Sequence, residues 1–286
     1  LSIVLLIAMW LWPAPAVLAF TEDGPLAAPA PGDPLQFRHL GFAVIPSVTH
    51  YASGQAATLS LPGLAAFQGQ YPGRWETAWD ERGNRPNLVQ GAGIPLLPGR
   101  GNNLKDADIG VAPGQTVTLP VVERLLRQFI DTHPALFRVA QGDLRLHPDS
   151  GQVGPNGRLW LVEFEVLDQR VPIQGARVFF RVSSGNIIQF GTELIGDVRV
   201  SAQPAVSGDQ AVSRALGRAG VEAPAAELLQ AGTLKIYPEL TAGEAPGGRY
   251  HGTAGTGYAY RLVREVDFRR SGDHRSYRAV VDLSAG

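Results

Sequence analysis

Glycine and proline set the terms on which this chain can fold. There are 34 glycines and 22 prolines among 286 residues, about a fifth of the chain against roughly 12% in average usage. Neither residue sustains a helix, so periodic segments are cut short and turns are frequent. Short strands, tight connections and a few brief helices are the expected products. Hydrophobic residues at 44% suffice for a core, and the length allows one large domain or two to three small ones. Charge is balanced, 25 basic against 26 acidic side chains, so nucleic acid is not an expected partner. Cysteine is absent, which removes disulfides, thiolate metal sites and a thiol nucleophile together.

Residues 1–12 read LSIVLLIAMWLW, apolar apart from Ser2, and PAPAVLAF follows. The run is too short for a ~30 Å hydrocarbon core, which needs about 20 residues, but it suits the apolar region of a secretory signal. Val17-Leu18-Ala19 places a cut after Ala19, with Ala16 as the alternative. Residues 1–19 are therefore read as a signal peptide, which implies a secreted or extracytoplasmic protein with no stable membrane anchor after cleavage. No charged segment or initiator Met precedes the run, so the sequence is expected to be part of a longer product. Residues 20–36, FTEDGPLAAPAPGDPLQ, have the composition of a linker.

Residues 37–115 contain short apolar pieces broken by Gly or Pro, and they read as a β-rich region without a helix of useful length. Trp75 and Trp79 are an even number apart on one expected strand, hence on one face. Core burial is the leading reading, and a sugar-stacking platform is the alternative. In the loop at 99–114, Asp106 and Asp108 begin a calcium-loop register that fails at Gly110 and Val111.

The texture changes at Leu119. Val122, Leu125, Leu126, Phe129 and Ile130 repeat at three and four, which predicts an amphipathic helix ending near His133, before Pro134. Alternating segments follow at 143–147, 158–167, 171–182 and 185–200, a meander that with the helix spans 116–203. A second unit, 204–286, opens on Ser207-Gly208-Asp209-Gln210, a capping box for a helix to about Arg218. Pro224 is expected to begin a short helix to Gln230, and strands are expected at 233–237, 257–268 and 276–283. The expected fold class is α+β: two tandem helix-plus-antiparallel-sheet modules after a β-rich N-terminal region.

No catalytic, cofactor-binding or metal residue is assigned. The six histidines are scattered, and there is no H-E-x-x-H, G-x-S-x-G, P-loop or G-x-G-x-x-G after a strand. Glu163 and Glu165 share one strand face. A solvated carboxylate row is the leading reading there, with an acid/base pair as the alternative. Arg261, Arg264, Arg269, Arg270, Arg275 and Arg278 fall within one expected hairpin. They suit either a docking face for an acidic partner, chiefly Arg261, Arg264, Arg275 and Arg278, or an edge made soluble by charge.

The segment VLDQRVPIQGARVFFRVSSGNIIQFG, 166–191, resembles the propeptides of fungalysin- and thermolysin-type metallopeptidases. Their pattern is an aromatic-bearing strand, G-V-P-V-x-G, an apolar strand, a D-G turn and a strand returning to Gly. Val171, Pro172, Ile173 and Gly175 fit it, Arg170 stands where the pattern has Gly, and Ser184-Gly185 replaces D-G. The helix at 121–133 and Pro134-Ala135-Leu136-Phe137 resemble that family's helix and its exit. The C-terminal unit resembles a PepSY domain, with Asp282 at the aspartate of its last strand. The resemblance implies an exported zymogen pro-region, an inhibitor and intramolecular chaperone of a zinc metallopeptidase domain following Gly286. That catalytic domain would be its partner, zinc would be held only there, and this chain would hydrolyse nothing. The alternative is a stand-alone secreted binding module for peptide or cell-envelope polymer.

Overall fold

In chain order the elements are β1 (Val48–Tyr51), α1 (Leu64–Gln70), β2 (Trp75–Asp80), β3 (Arg85–Pro95), α2 (Leu119–Thr132) and α3 (Pro134–Phe137). They are followed by β4 (Leu144–Leu146), β5 (Gly151–Val153), β6 (Leu159–Asp168), β7 (Val171–Ser183), β8 (Asn186–Glu193) and α4 (Gly208–Arg218). The last three are β9 (Ala226–Leu240), β10 (Tyr258–Arg270) and β11 (Ser276–Asp282). The computed structural model describes residues 44, 46–51, 61–153, 158–201, 203–241, 249–272 and 276–283, all within one compact unit, 39–286. The signal peptide, its Ala19 junction, the linker at 20–36 and Arg275 lie outside the described residues.

Alternation of side chains builds the centre of the molecule. β6 buries Trp160, Val162, Phe164 and Val166 and turns Leu161, Glu163 and Glu165 the other way. β7 does the same with Val178, Phe180 and Val182 against Arg177, Phe179 and Arg181. At the β7–β8 turn Ser184 and Gly185 both take positive φ, 48° and 85°, as a two-residue hairpin connection demands. At the β6–β7 turn Gln169 and Arg170 do so at 47° and 69°, so Arg170 accepts a conformation for which glycine is better suited.

The order β1-β2-β3-β8-β7-β9-β10-β11, with β6 also on β7 and with β4 and β5 on β6, makes one eleven-stranded sheet. It is mixed: β7 meets β9 in parallel at Ile173↔Ile236, and the other pairings are antiparallel. This overturns the expectation of two tandem helix-plus-sheet modules behind a separate β-rich region. β3 pairs with β8 through Val89↔Phe190 and Ile94↔Ile187, so the N-terminal strands extend the same sheet. Their apolar residues cannot bury themselves alone. Trp75, Trp79, Val89 and Ile94 share one core with Val162, Phe180, Phe190 and Ile236.

Among the described residues four short α-helices cover one face of that sheet. α2 buries Val122, Leu126, Phe129 and Ile130, begins with Pro120 in its first turn and stops at His133, ahead of Pro134. α4 is capped by Ser207, whose Oγ accepts from Gln210 N–H while Gln210 Oε1 accepts from Ser207 N–H. Ala211 of α4 joins the same core as Leu126 and Phe129. α1, within the region expected to lack a helix, supplies Leu64 and Phe67, both fully buried. The helix expected over 224–230 is instead a single turn running into β9, whose residues from Ala226 pair with β10. Among the described residues no helix is long and apolar enough to cross a membrane.

Candidate docking surface

The sheet face opposite the helices collects the outward positions of β4, β6, β7 and β8. Cross-strand neighbours there carry opposite charges. Arg145 Nε donates to Glu165 Oε2 at 2.7 Å. Arg177 bridges two strands: Nη1 donates to both oxygens of Glu163, at 3.0 and 2.9 Å, while Nε and Nη2 donate to Glu193 at 2.9 and 3.0 Å. Burial opposes the Arg177 charge, but hydrogen bonds and charge from Glu193 and Glu163 outweigh it and leave the group more basic than usual. Glu163 and Glu165 therefore serve different arginines in a charge ladder.

The same face continues onto β9–β11. Lys235 Nζ donates to Gln174 Oε1 of β7 at 2.9 Å and pairs with Glu265 Oε2 at 2.9 Å. Glu265, 3% exposed, also accepts from the Tyr237 hydroxyl. Burial and then Glu265 push the Tyr237 phenol up. Arg278 binds Asp267 through Nε and Nη2 at 2.7 and 2.8 Å, and these bonds hold the Asp267 carboxyl below its ordinary range. Arg261 donates to Glu239 at 2.6 Å and to Asp282 at 2.7 Å.

Of the arginines singled out in the sequence, Arg261 and Arg278 thus share this face, each bound to carboxylates. Arg264 projects from the other side of β10, beside Gly208 at the start of α4, where Nη1 donates to Gly232 O at 3.0 Å. The structure gathers them by parity rather than as one basic patch. The residues that carry the resemblance are mostly internal to β7. Val171 and Ile173 are buried, Pro172 faces Leu167 near the start of the strand, and Gly175, φ 74°, lies where the β6–β7 register slips. Gly185 sits in the hairpin turn and Asp282 holds Arg261.

Trp75 and Trp79 are 1% and 2% exposed, with Nε1 donating to Tyr71 O and Asn84 Oδ1 at 2.8 and 3.0 Å, so neither ring offers a stacking platform. Asp108 Oδ2 accepts from Lys105 N–H and closes a local turn. A shallow depression of about 300 Å³ beside α2, lined by Pro120, Glu123, Arg124, Arg127, Gln128 and Gln141, is closed off chemically. Arg127 there spends its donors on Glu123, Gln141 O and Leu144 O. Among the described residues no group of three or more His, Asp or Glu side chains is placed to hold a metal.

Two buried polar assemblies escaped the sequence reading. Arg85, 3% exposed, donates to the carbonyls of Phe137, Ile195 and Arg138 at 3.1, 2.5 and 3.0 Å, and burial first, then Arg138, lowers its pKa to about 10. Asp80, raised by burial, accepts from the Tyr258 hydroxyl at 2.6 Å. The distant partners are what the sequence hides: Tyr258 for Asp80 and Phe137, Arg138 and Ile195 for Arg85 all lie more than fifty positions away, while Asp80 also accepts locally from the N–H groups of Arg82 and Gly83. No family model matches the chain, and no curated protein matches it.

Proposed function

We propose that this chain works by surface rather than by chemistry, as the exported pro-region of a zinc metallopeptidase that it helps to fold and holds inactive. The observation that carries the reading is the form of the sheet. Among the described residues one face is covered by four helices, while the other carries two sets of cross-strand ion pairs, on β4–β8 and on β9–β11, joined by the Lys235–Gln174 hydrogen bond. A face ordered before contact loses little side-chain entropy on binding, which is what a template for another domain needs. β7, the strand with the Val171-Pro172-Ile173-Gln174-Gly175 resemblance, is the strand on which β6, β8 and β9 all meet.

The ion pairs also favour one kind of partner. Arg261, Arg177 and Arg278 are satisfied internally, so a strongly acidic ligand would have to break existing bonds. A mixed polar and apolar surface of a folded domain suits the face better. The test is the coding sequence beyond Gly286. An H-E-x-x-H helix within the next few hundred codons is expected, and a stop codon directly after Gly286 would replace the pro-region reading with a stand-alone binding module.

A further inference from the structure

His133 is a buried imidazole that the docking surface does not use. It stands where α2 passes into α3: its N–H donates to Ile130 O, and its carbonyl accepts from the N–H groups of Leu136 and Phe137. The residue is 7% exposed. Its ring is enclosed by Phe67 and Tyr71 at 5.6 Å each and by Phe129 at 4.7 Å, all at steep angles. Nε2 is buried and has no hydrogen-bond partner.

Such a cage suits a neutral imidazole. α1 presents Phe67 and, at its exit, Tyr71, the titratable group facing the histidine; its hydroxyl accepts from Gln70 Nε2 at 3.2 Å. α2 presents Phe129 and its own C-terminal end, which favours a cation but offers Ile130 O already bonded to main chain. Burial lowers the imidazole below its ordinary 6.5, and no carboxylate opposes it.

We infer that His133 is an acid-sensitive latch: protonation expels its imidazole from the Phe67–Tyr71–Phe129 cage and frees α1 from the α2–α3 junction. Closed, the imidazole resists a proton; opened to water, it takes one near pH 6.5. The open form therefore binds more protons, and closure weakens as pH falls below that value, up to tenfold per pH unit, until the caged group also titrates. The effect reaches the core, because Phe67 also packs on Trp75 at 5.1 Å and on Phe190 at 5.3 Å. The inference stands apart from the pro-region reading, since it concerns the helical layer and needs no partner.

Amide hydrogen exchange of the full chain between pH 7.5 and 5.0, corrected for the intrinsic rate, tests it with His133→Phe and His133→Gln. Protection over 64–71 and 130–137 should fall about fivefold from pH 6.5 to 5.5 in the wild type, while β6–β8 stays protected. Neither variant should show the step, and either one that folds is sufficient for the comparison. The latch is overturned by a wild type without the step, by the same step in a folded variant, or by loss of protection across all strands together. If neither variant folds, the imidazole resonance of wild-type His133 decides: titration at or above 6.5 overturns the inference, and titration clearly below it supports the latch.

Discussion

Arg85→Met removes a side chain that ties β3 to both the α3 exit and the chain leaving β8. Its bonds to Phe137 O and Ile195 O are buried, whereas that to Arg138 O is partly open to water. Two buried carbonyls would lose their donors at about 1–3 kcal/mol each. Methionine returns part of this through its apolar surface, and the cost of keeping a guanidinium dry disappears. The expected net loss is about 3 kcal/mol, or roughly 6–12 °C for a domain of this size. Urea unfolding followed by tryptophan fluorescence measures it, and Arg85→Lys should fall between the two proteins because an ammonium cannot fork to three carbonyls. A loss under about 1 kcal/mol for Arg85→Met would refute the reasoning, since it would mean that desolvating the guanidinium cancels what its bonds contribute.

Phe164→Ala and Phe129→Ala should each cost about 3 kcal/mol in the same assay, as both rings are enclosed; little loss at both would mean that the sheet and helix faces are misassigned. Gly191→Ala should destabilise more than Gly175→Val when the two melting temperatures are compared. A Cβ at Gly191 would lie 2.1 Å from Asn87 O, whereas at Gly175 it meets only Leu194 Cδ1 at 3.0 Å and pays the left-handed φ. Arg278→Gln should return the Asp267 carboxyl upward toward its ordinary range in an NMR titration. Because the folded value is depressed, the stabilisation is present above about pH 4 and is lost as pH falls through the folded pKa, so the variant should lose less stability on acidification.

What was legible in the sequence was local. The three-and-four spacing of Val122 to Ile130 gave α2, Ser207 with Gln210 gave the start of α4, and Ser184-Gly185, in the place of the D-G turn, gave the β7–β8 connection. Period-two alternation marks a strand without naming its neighbour, so Val89↔Phe190, about a hundred residues apart, was invisible and the sheet was divided where it is continuous. Pro224 with Leu228 and Leu229 imitates a helix start, but pairing with Phe268 and Arg269 overrides that propensity. In the arginine hairpin Arg261 and Arg264 are an odd number apart, so strand parity alone puts them on opposite faces.

The measurement closest to the central claim is the refolding of the peptidase domain proposed to follow Gly286, with and without residues 39–286 supplied in trans. Peptidase activity should appear only when the chain is present during refolding, and adding excess chain to the folded enzyme should suppress that activity. A catalytic domain that refolds to full activity alone, and that is not inhibited by the added chain, would contradict the account.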